Sequence, residues 1–62
     1  MTQERLLRLP EVLRTTGLSR STLYRQMQAG KFPEAVKISA HASGWAQSEI
    51  QDWIRKRMAL RS

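Results

Sequence analysis

One apolar pair marks the clearest helical segment in the chain. Leu23 and Met27 lie four positions apart, so on a helix from about Arg20 to Gln28 they occupy the same face. At about 100° per residue, the opposite face and its flanks carry polar side chains: Ser21, Thr22, Tyr24, Arg25 and Gln28. The pattern predicts an amphipathic helix with a buried apolar side and an exposed polar side.

A shorter helix is predicted before it, from about Pro10 to Thr16. Pro10 suits the first helical position, because the N–H that proline lacks has no partner there. Val12 and Leu13 are the apolar positions of this helix. The preceding segment, Arg5–Leu9, is short and mixed, and it fits either a brief strand or an extended lead-in that packs its leucines on the core.

A tight turn separates these two helices. Gly17 ends the first helix, since glycine adopts a left-handed conformation at low cost. Leu18 is apolar and fits the angle between the helices, and Ser19 is a good N-cap for the second helix. Leu23 lies five residues after Leu18, which is where the second helix needs an inward anchor, an apolar side chain that points into the core. Gly30 then predicts the end of the second helix.

The segment 34–47 changes to a strand pattern. Ala35–Ile38 alternates apolar and polar residues, as a half-buried strand does. His41–Gly44 is small and turn-like, and Gly44–Ala46 fits the start of a return strand. The segment is long enough for one β-hairpin, a wing, but not for a sheet. Trp45 is expected to seal this hairpin against a third helix.

The third helix is predicted from a capping box near Ser48 to about Leu60. Ser48 and Gln51 have the Ser-x-x-Gln spacing of that motif, and Asp52 and Lys56 are spaced for an ion pair. The apolar positions form a continuous helical stripe: Ile50, Trp53, Ile54 and Met58. The patterns together predict a mostly α domain of three helices plus a small β-hairpin.

Composition limits the size of the core and adds a strong positive charge. The 62 residues suffice for one domain, residues 1–62, and 11 Lys+Arg against 5 Asp+Glu give a net charge of +6. Cysteine is absent, and no apolar run is long enough for a signal peptide or a membrane span, which fits the bacterial cytoplasm. The charge indicates a polyanionic partner, and by itself it leaves DNA, RNA and an acidic membrane open.

Catalysis and membrane binding find little support in the residues. The single histidine, His41, lies in a predicted turn with no carboxylate or cysteine nearby in sequence, and Glu49 and Asp52 complement a helix N-terminus. No phosphate loop, nucleophile motif or metal-ligand cluster occurs, so we expect no enzyme, no cofactor and no metal. A membrane-surface role would remove Trp53 and Ile54 from a core with few apolar residues to spare.

Weighed against an ordinary helical hairpin, a helix-turn-helix that binds double-stranded DNA is the favoured interpretation. The tight turn, the inward anchor and the outward face support it, because Arg, Ser, Thr and Gln side chains contact base edges and phosphates. The predicted DNA-binding residues are Ser19, Arg20, Ser21, Thr22, Tyr24, Arg25, Gln28, Lys31, Lys37, His41 and Ser43.

These residues have different expected roles. Ser21, Thr22 and Arg25 are expected to contact bases or nearby phosphates. Arg20 and Tyr24 are expected to contact mainly phosphates, with a place at the edge of the core as the alternative for Tyr24. The two lysines add charge near the DNA backbone. The three wing residues either reach that backbone or are simply solvated.

Several pieces of the chain, taken in order, resemble one known family: Arg8–Leu13, Thr16–Arg25, Gly30–Pro33, Gly44–Trp45, Ser48–Ile50 and Trp53–Ile54. They resemble the AlpA-like prophage regulatory family, whose fold is similar to the winged helix-turn-helix of MerR-like regulators and phage excisionases. The resemblance implies a small DNA-binding protein of a prophage or integrative element. It implies recognition-helix positions within Ser19–Arg25 and wing positions around Lys37–Ser43. Related wings often carry more Gly and Arg than Ser39–Ser43 does.

We therefore expect a sequence-specific DNA-binding transcriptional regulator. One alternative is an excisionase that binds and bends attachment-site DNA with an integrase. Another is an antitermination-type factor that contacts RNA polymerase through the third helix or its basic tail, Arg55–Arg57 and Arg61. RNA binding is a weaker option. Because one module of this size has a small footprint, several copies are expected to bind adjacent DNA sites, or another protein is recruited.

Overall fold

A computed structural model describes residues 4–60 of the chain. In chain order its elements are β1 (Leu6–Leu7), α1 (Leu9–Thr16), α2 (Arg20–Gln28), β2 (Val36–Ser39), β3 (Ala42–Ala46) and α3 (Gln47–Leu60). The three helices and the small antiparallel sheet fit a winged helix-turn-helix, so the predicted architecture is confirmed. Arg61, the end of the predicted basic tail, lies outside the described residues.

The turn between α1 and α2 forms as its residues predict. Gly17 has a left-handed φ of 76°, and its N–H donates to the carbonyl of Leu13 at 2.9 Å. The Thr16 hydroxyl donates to the carbonyl of Val12 at 2.7 Å and accepts from the N–H of Leu18 at 3.4 Å. The bonds to the Leu13 carbonyl and from the Leu18 N–H satisfy backbone groups that the end of α1 would otherwise leave unpaired, and they fix the chain direction into α2.

The C-terminal end of α2 is also capped by backbone hydrogen bonds. Gly30 has a φ of 73°, and its N–H donates to the carbonyl of Met27 at 3.1 Å. The N–H of Lys31 donates to the carbonyl of Gln26 at 2.9 Å. This pair of bonds is a Schellman motif, which requires a left-handed residue where Gly30 stands.

The sheet has three strands rather than the two of a lone hairpin. Its order is β1-β3-β2, and both neighbouring pairs are antiparallel. Leu6 pairs with Ala46 and Leu7 pairs with Trp45. Of the two possibilities for the N-terminal segment, a brief strand or an extended lead-in, the structure therefore shows the strand. The segment 34–47 supplies only the hairpin, as predicted, and the third strand of the sheet comes from the N-terminal segment.

The hairpin turn falls earlier than the sequence indicates. The turn residues are Ala40 and His41, and β3 begins at Ala42. The predicted turn over His41–Gly44 was therefore correct only at His41. Ser43 lies within β3. A register irregularity between Lys37 and Ser39 accompanies this short turn.

The core lies between one face of the sheet and the three helices. Its buried residues come from β1, the three helices, the loop after α2, and β3: Leu7, Val12, Leu23, Phe32, Trp45 and Ile50. Phe32 meets the rings of Trp45 and Trp53 edge-on, with ring centroids 6.4 and 5.0 Å away. The two indole N–H groups donate to the carbonyls of Pro33 and Lys31 at 3.0 and 2.9 Å. The aromatic cluster thus fixes the loop that joins α2 to the hairpin, and it confirms Trp45 as a core residue.

The outer face of the sheet is apolar and open. Leu7 and Trp45 are paired and point towards the core. Gly44 directly precedes Trp45 in β3, so it belongs to the opposite face of the sheet, because successive residues of a strand alternate between the two faces. Val36 pairs with Gly44 and is 45% exposed, and Ile38 is 44% exposed. The prediction of a half-buried β2 was wrong for both, since the core lies on the other side of the sheet.

Two expectations about α3 were also wrong. The helix begins at Gln47 directly after β3, so Ser48 lies inside its first turn rather than at an extended N-cap position. The Ser48 hydroxyl donates to the Glu4 carboxylate instead of capping the helix. Met58, predicted to extend the buried stripe, is 54% exposed because the core ends near Ile54. The predicted Asp52–Lys56 ion pair is confirmed, with its atoms 3.2 Å apart.

Candidate nucleic-acid interface

The exposed face of α2 is the surface that the helical pattern predicts. Leu23 is fully buried, and Met27 packs against the core beside it. On the other side of the helix, Ser21, Arg25 and Gln28 are exposed. Arg20 and Tyr24 are exposed as well. The buried anchor therefore turns the polar side chains of the helix outward.

The outward side chains at the start of α2 are joined by hydrogen bonds. The Ser19 hydroxyl accepts from the Thr22 N–H at 3.2 Å, which confirms Ser19 as the N-cap. The same hydroxyl donates to Thr22 Oγ1 at 2.9 Å. A guanidinium N–H of Arg25 donates to Thr22 Oγ1 at 3.2 Å. We call these three residues, Ser19, Thr22 and Arg25, the α2 polar network.

The α2 polar network gives Arg25 a preferred orientation before any ligand binds. Its bond to Thr22 uses one of the five N–H donors of the guanidinium. Thr22 is only partly exposed, and its oxygen already accepts from both neighbours. The structure thus places Thr22 where it positions Arg25, a role that the sequence interpretation missed. The Ser19-x-x-Thr22 spacing at the helix start was the available signal.

The N-terminal end of α2 is electropositive. Its first turn contains no acidic residue, and it begins with the exposed Arg20. The backbone N–H groups of a helix start add a partial positive charge that favours anions. Arg20 therefore stands where a phosphate is electrostatically favoured.

The wing residues lie on a separate element. Lys37 pairs with Ser43 across the hairpin, so both side chains lie on one face of it. Ser43 is two residues before the buried Trp45, which puts this pair on the side of the sheet that bears the helices. His41 lies in the turn, where its N–H donates to the Ser39 hydroxyl at 3.4 Å.

The ion pairs of the described residues do not involve the predicted DNA-binding cations. Within residues 4–60, the ion pairs join Arg5 to Glu11 and join both Arg55 and Lys56 to Asp52. The predicted DNA-binding cations are outside these pairs and are all exposed: Arg20, Arg25, Lys31 and Lys37. Their charge is therefore not offset by a carboxylate within the described part of the chain.

Neither a metal-binding cluster nor a membrane-spanning helix is present in residues 4–60. Across residues 4–60, no group of three or more His, Cys, Asp or Glu side chains is arranged to hold a metal ion. In that range no helix has the length and apolar character needed to cross a bilayer.

Known proteins resemble this chain over nearly its whole length. Residues 5–58 match the family described as Prophage CP4-57 regulatory protein (AlpA). The chain is 44% identical over 61 residues to an uncharacterized protein, ORF88, of Enterobacteria phage P4, which covers 98% of this chain and 69% of that protein. It is 32% identical over 62 residues to the DNA-binding transcriptional activator AlpA of Escherichia coli (strain K12), which covers 90% and 89%.

Proposed function

This chain belongs to the AlpA family of prophage regulatory proteins, and from that premise we propose that it is a sequence-specific DNA-binding transcriptional regulator of a prophage or integrative element. The observation that carries the proposal is the exposed polar face of α2, with Leu23 buried beneath it and the α2 polar network at its start. The name of the relative from Escherichia coli, a DNA-binding transcriptional activator, supports it.

In the proposed complex, α2 enters a major groove with its N-terminal residues towards the base edges. Arg25 is the candidate for a bidentate contact to guanine, since its guanidinium is exposed and oriented by Thr22. Ser21 and Gln28 share its face and contact neighbouring bases or phosphates. Thr22 and Ser19 act mainly by orienting that guanidinium and capping the helix.

The remaining predicted residues supply backbone contacts in this proposal. Arg20, at the electropositive start of α2, and Tyr24, exposed on its flank, contact phosphates. Lys31 follows the cap of α2, and the hairpin carries Lys37 with His41 and Ser43 near its tip. Such contacts fix the position of the protein on the duplex and carry no sequence information directly.

The size of the domain bears on how it acts. We take residues 1–62 as one DNA-binding domain without catalytic activity that works in the bacterial cytoplasm. Single modules of this kind bury only about 600–1,000 Å² of protein surface on DNA. Binding of several copies to adjacent sites, or recruitment of a second protein, would supply the remaining affinity. Band shifts that show only a one-to-one complex on natural DNA would contradict the first of these.

Genome-wide footprinting in the host, combined with transcript levels, tests the proposal. We expect occupied sites at promoters, with transcription of the adjacent genes changed when the protein is removed. An Arg25→Ala variant, expressed at the same level, is expected to lose these sites. Sites confined to attachment DNA, with excision lost and transcripts unchanged, would contradict transcriptional regulation and indicate an excisionase. No specific sites would contradict sequence-specific binding.

A further inference from the structure

The apolar side of α3 extends beyond the hydrophobic core of the domain. The helix has 14 residues, about 21 Å of rise. Ile50 is fully buried near its start, and Trp53 and Ile54 pack against the core in its middle. Met58 and Leu60 continue towards its end, and Leu60 is 78% exposed. The last turns of α3 therefore carry apolar side chains beyond the body of the domain.

Two open depressions lie on either side of Trp53 at this end of the molecule. Each has a volume of about 420 Å³. The first is mainly apolar, with Leu18, Ile54 and Met58 in its wall. The second is basic, with Lys31, Lys56 and Arg57 in its wall and Leu60 at its edge. We call the two depressions together the α3 groove.

The ridge between the two depressions is fixed by its own contacts. The guanidinium carbon of Arg57 lies 4.8 Å from the centroid of the Trp53 ring, a cation–π contact. Arg57 also donates to the Gln26 side-chain oxygen at 3.2 Å, and the Trp53 indole donates to the Lys31 carbonyl at 2.9 Å. A partner would therefore meet an ordered aromatic and cationic ridge rather than free side chains.

We propose that the α3 groove binds an acidic amphipathic segment of a partner protein. The argument is charge complementarity combined with apolar surface: three cations and no carboxylate line the groove. Apolar side chains of the segment pack on Ile54 and Met58, and its carboxylates meet Arg57 and Lys31, since Lys56 is already paired with Asp52. A helix that places its apolar face in such a groove is a common mode of peptide recognition.

The apolar part of the groove favours a protein over nucleic acid. A phosphate backbone makes use of the cations but has no apolar surface to cover Met58 and Leu60, which leaves them in water. The inference goes beyond the proposed DNA-binding function and does not rest on it. It centres on a different helix and shares only Lys31 with the proposed DNA contacts, and peptide binding is measured without DNA.

The test is a selection of displayed random 16-residue peptides against the full chain at physiological salt. We expect recovered peptides to combine Asp or Glu with large apolar residues at helical spacing. Synthetic copies are then titrated by fluorescence polarisation. Arg57→Glu and Met58→Gln are each expected to weaken binding by at least about tenfold, equivalent to about 1.4 kcal/mol. No recovered peptides, or basic ones, would overturn the proposal.

A matched control separates this surface from general charge attraction. Arg55→Glu makes the same charge change on the same helix, but at about 100° per residue it lies roughly 200° away from Arg57. We expect it to weaken peptide binding less than twofold. Equal losses in the Arg55 and Arg57 variants would overturn the proposal. Thermal unfolding checks that the variants fold, and Met58→Gln alters an exposed side chain without touching the ridge.

Two further measurements identify the other possible occupants. If the groove contacts phosphates, Arg57→Glu will weaken duplex DNA binding and flatten its salt dependence more than the matched Arg55→Glu does, which would overturn the proposal. If a second copy of the chain fills the groove, sedimentation will show an oligomer that Met58→Gln dissociates, which would overturn it as well. Peptide binding by a chain that fails to bind any duplex would contradict the proposed DNA-binding function alone.

Discussion

Helix α2 and the β2–β3 hairpin both carry predicted DNA-binding residues, but they hold them in different ways. On α2, Leu23 is fully buried, both helix ends are capped, and the α2 polar network links the outward side chains. On the hairpin, burial is confined to Gly44 and Trp45 of β3, and every residue of β2 is exposed.

The difference shows what fixes a side chain at a surface. An outward side chain is held well when the opposite side of its backbone is buried and when it bonds to a neighbour. Arg25 meets both conditions, whereas Lys37 has exposed residues on both sides of it. We therefore expect α2 to provide base specificity and the hairpin to provide adjustable backbone contacts. Five predictions test this comparison.

The largest effect is expected from the anchor beneath α2. Leu23→Ala is predicted to lower the free energy of unfolding by about 2–5 kcal/mol, because it leaves a cavity under the helix. Urea unfolding followed by circular dichroism measures it. Val36→Ala on the exposed strand is expected to cost only about 0.5 kcal/mol. Similar losses at both positions would contradict the contrast between the two regions.

The next effect concerns the attachment of the hairpin. A Cβ atom at Gly44 would lie 2.9 Å from the Leu7 carbonyl oxygen and 2.9 Å from the end of the Ile38 side chain. Gly44→Val is therefore predicted to destabilise the chain by about 1–3 kcal/mol. Hydrogen exchange should show lost amide protection in β3 before α2. Ser43→Val, on the exposed neighbouring position, serves as the control and is expected to preserve that protection.

Base specificity is predicted to depend on Arg25. Arg25→Ala should reduce the preference for the cognate duplex over a shuffled one by about 1–3 kcal/mol, if the guanidinium contacts guanine in two places. Competition titrations with the two duplexes measure this preference. Arg14→Ala, which changes an exposed arginine near the end of α1, is the charge-matched control. An unchanged preference in the Arg25 variant would remove that residue from base recognition.

A smaller effect is predicted for the residue that orients Arg25. Thr22→Val keeps the side-chain shape but removes the oxygen that accepts from the guanidinium. We expect a loss of about 0.5–1.5 kcal/mol of cognate affinity, the usual net value of one hydrogen bond. In an Arg25→Ala background the same change should have almost no further effect. Additive losses would show that Thr22 contacts DNA directly.

The smallest effect is predicted on the hairpin. If the wild-type chain neutralises about five phosphates, log K should fall with log salt at a slope of about −4 to −5. Lys37→Ala should reduce that slope by about 0.9 and weaken cognate and shuffled duplexes alike. An unchanged slope would mean that Lys37 is solvated in the complex. A selective loss on the cognate duplex would show that the hairpin contributes to specificity after all.

The parts of the molecule that were predictable depend on short-range signals. Gly17 and Gly30 mark helix ends through their own conformations, and Ser19 marks a helix start through a hydroxyl that reaches three residues along. The four-residue spacing of Leu23 and Met27 located the outward face of α2. The bounds of α2 and its polar face were therefore predicted from a stretch of about ten residues.

Several of the predictions that failed depend on partners that are distant in sequence. The pattern Val36–Ile38 cannot indicate that the core lies on the other side of its strand. Met58 has the spacing of a buried residue, but the core ends one turn earlier. Ser48 has a capping spacing, but β3 pairs with the distant β1 as far as Ala46, and its helix begins directly after that residue.

The order of residues alone was enough to predict where the helices lie, which face of α2 is polar, the net positive charge and the family resemblance, which the family match confirms. Local spacing, capping and composition carry this information, since they act within one or two helical turns. The tertiary structure decided that β1 completes the sheet, that Phe32 joins two tryptophans in the core, and that the end of α3 stays open. These features depend on which surfaces meet when the chain folds, and burial is a property of the assembled surfaces rather than of any one segment.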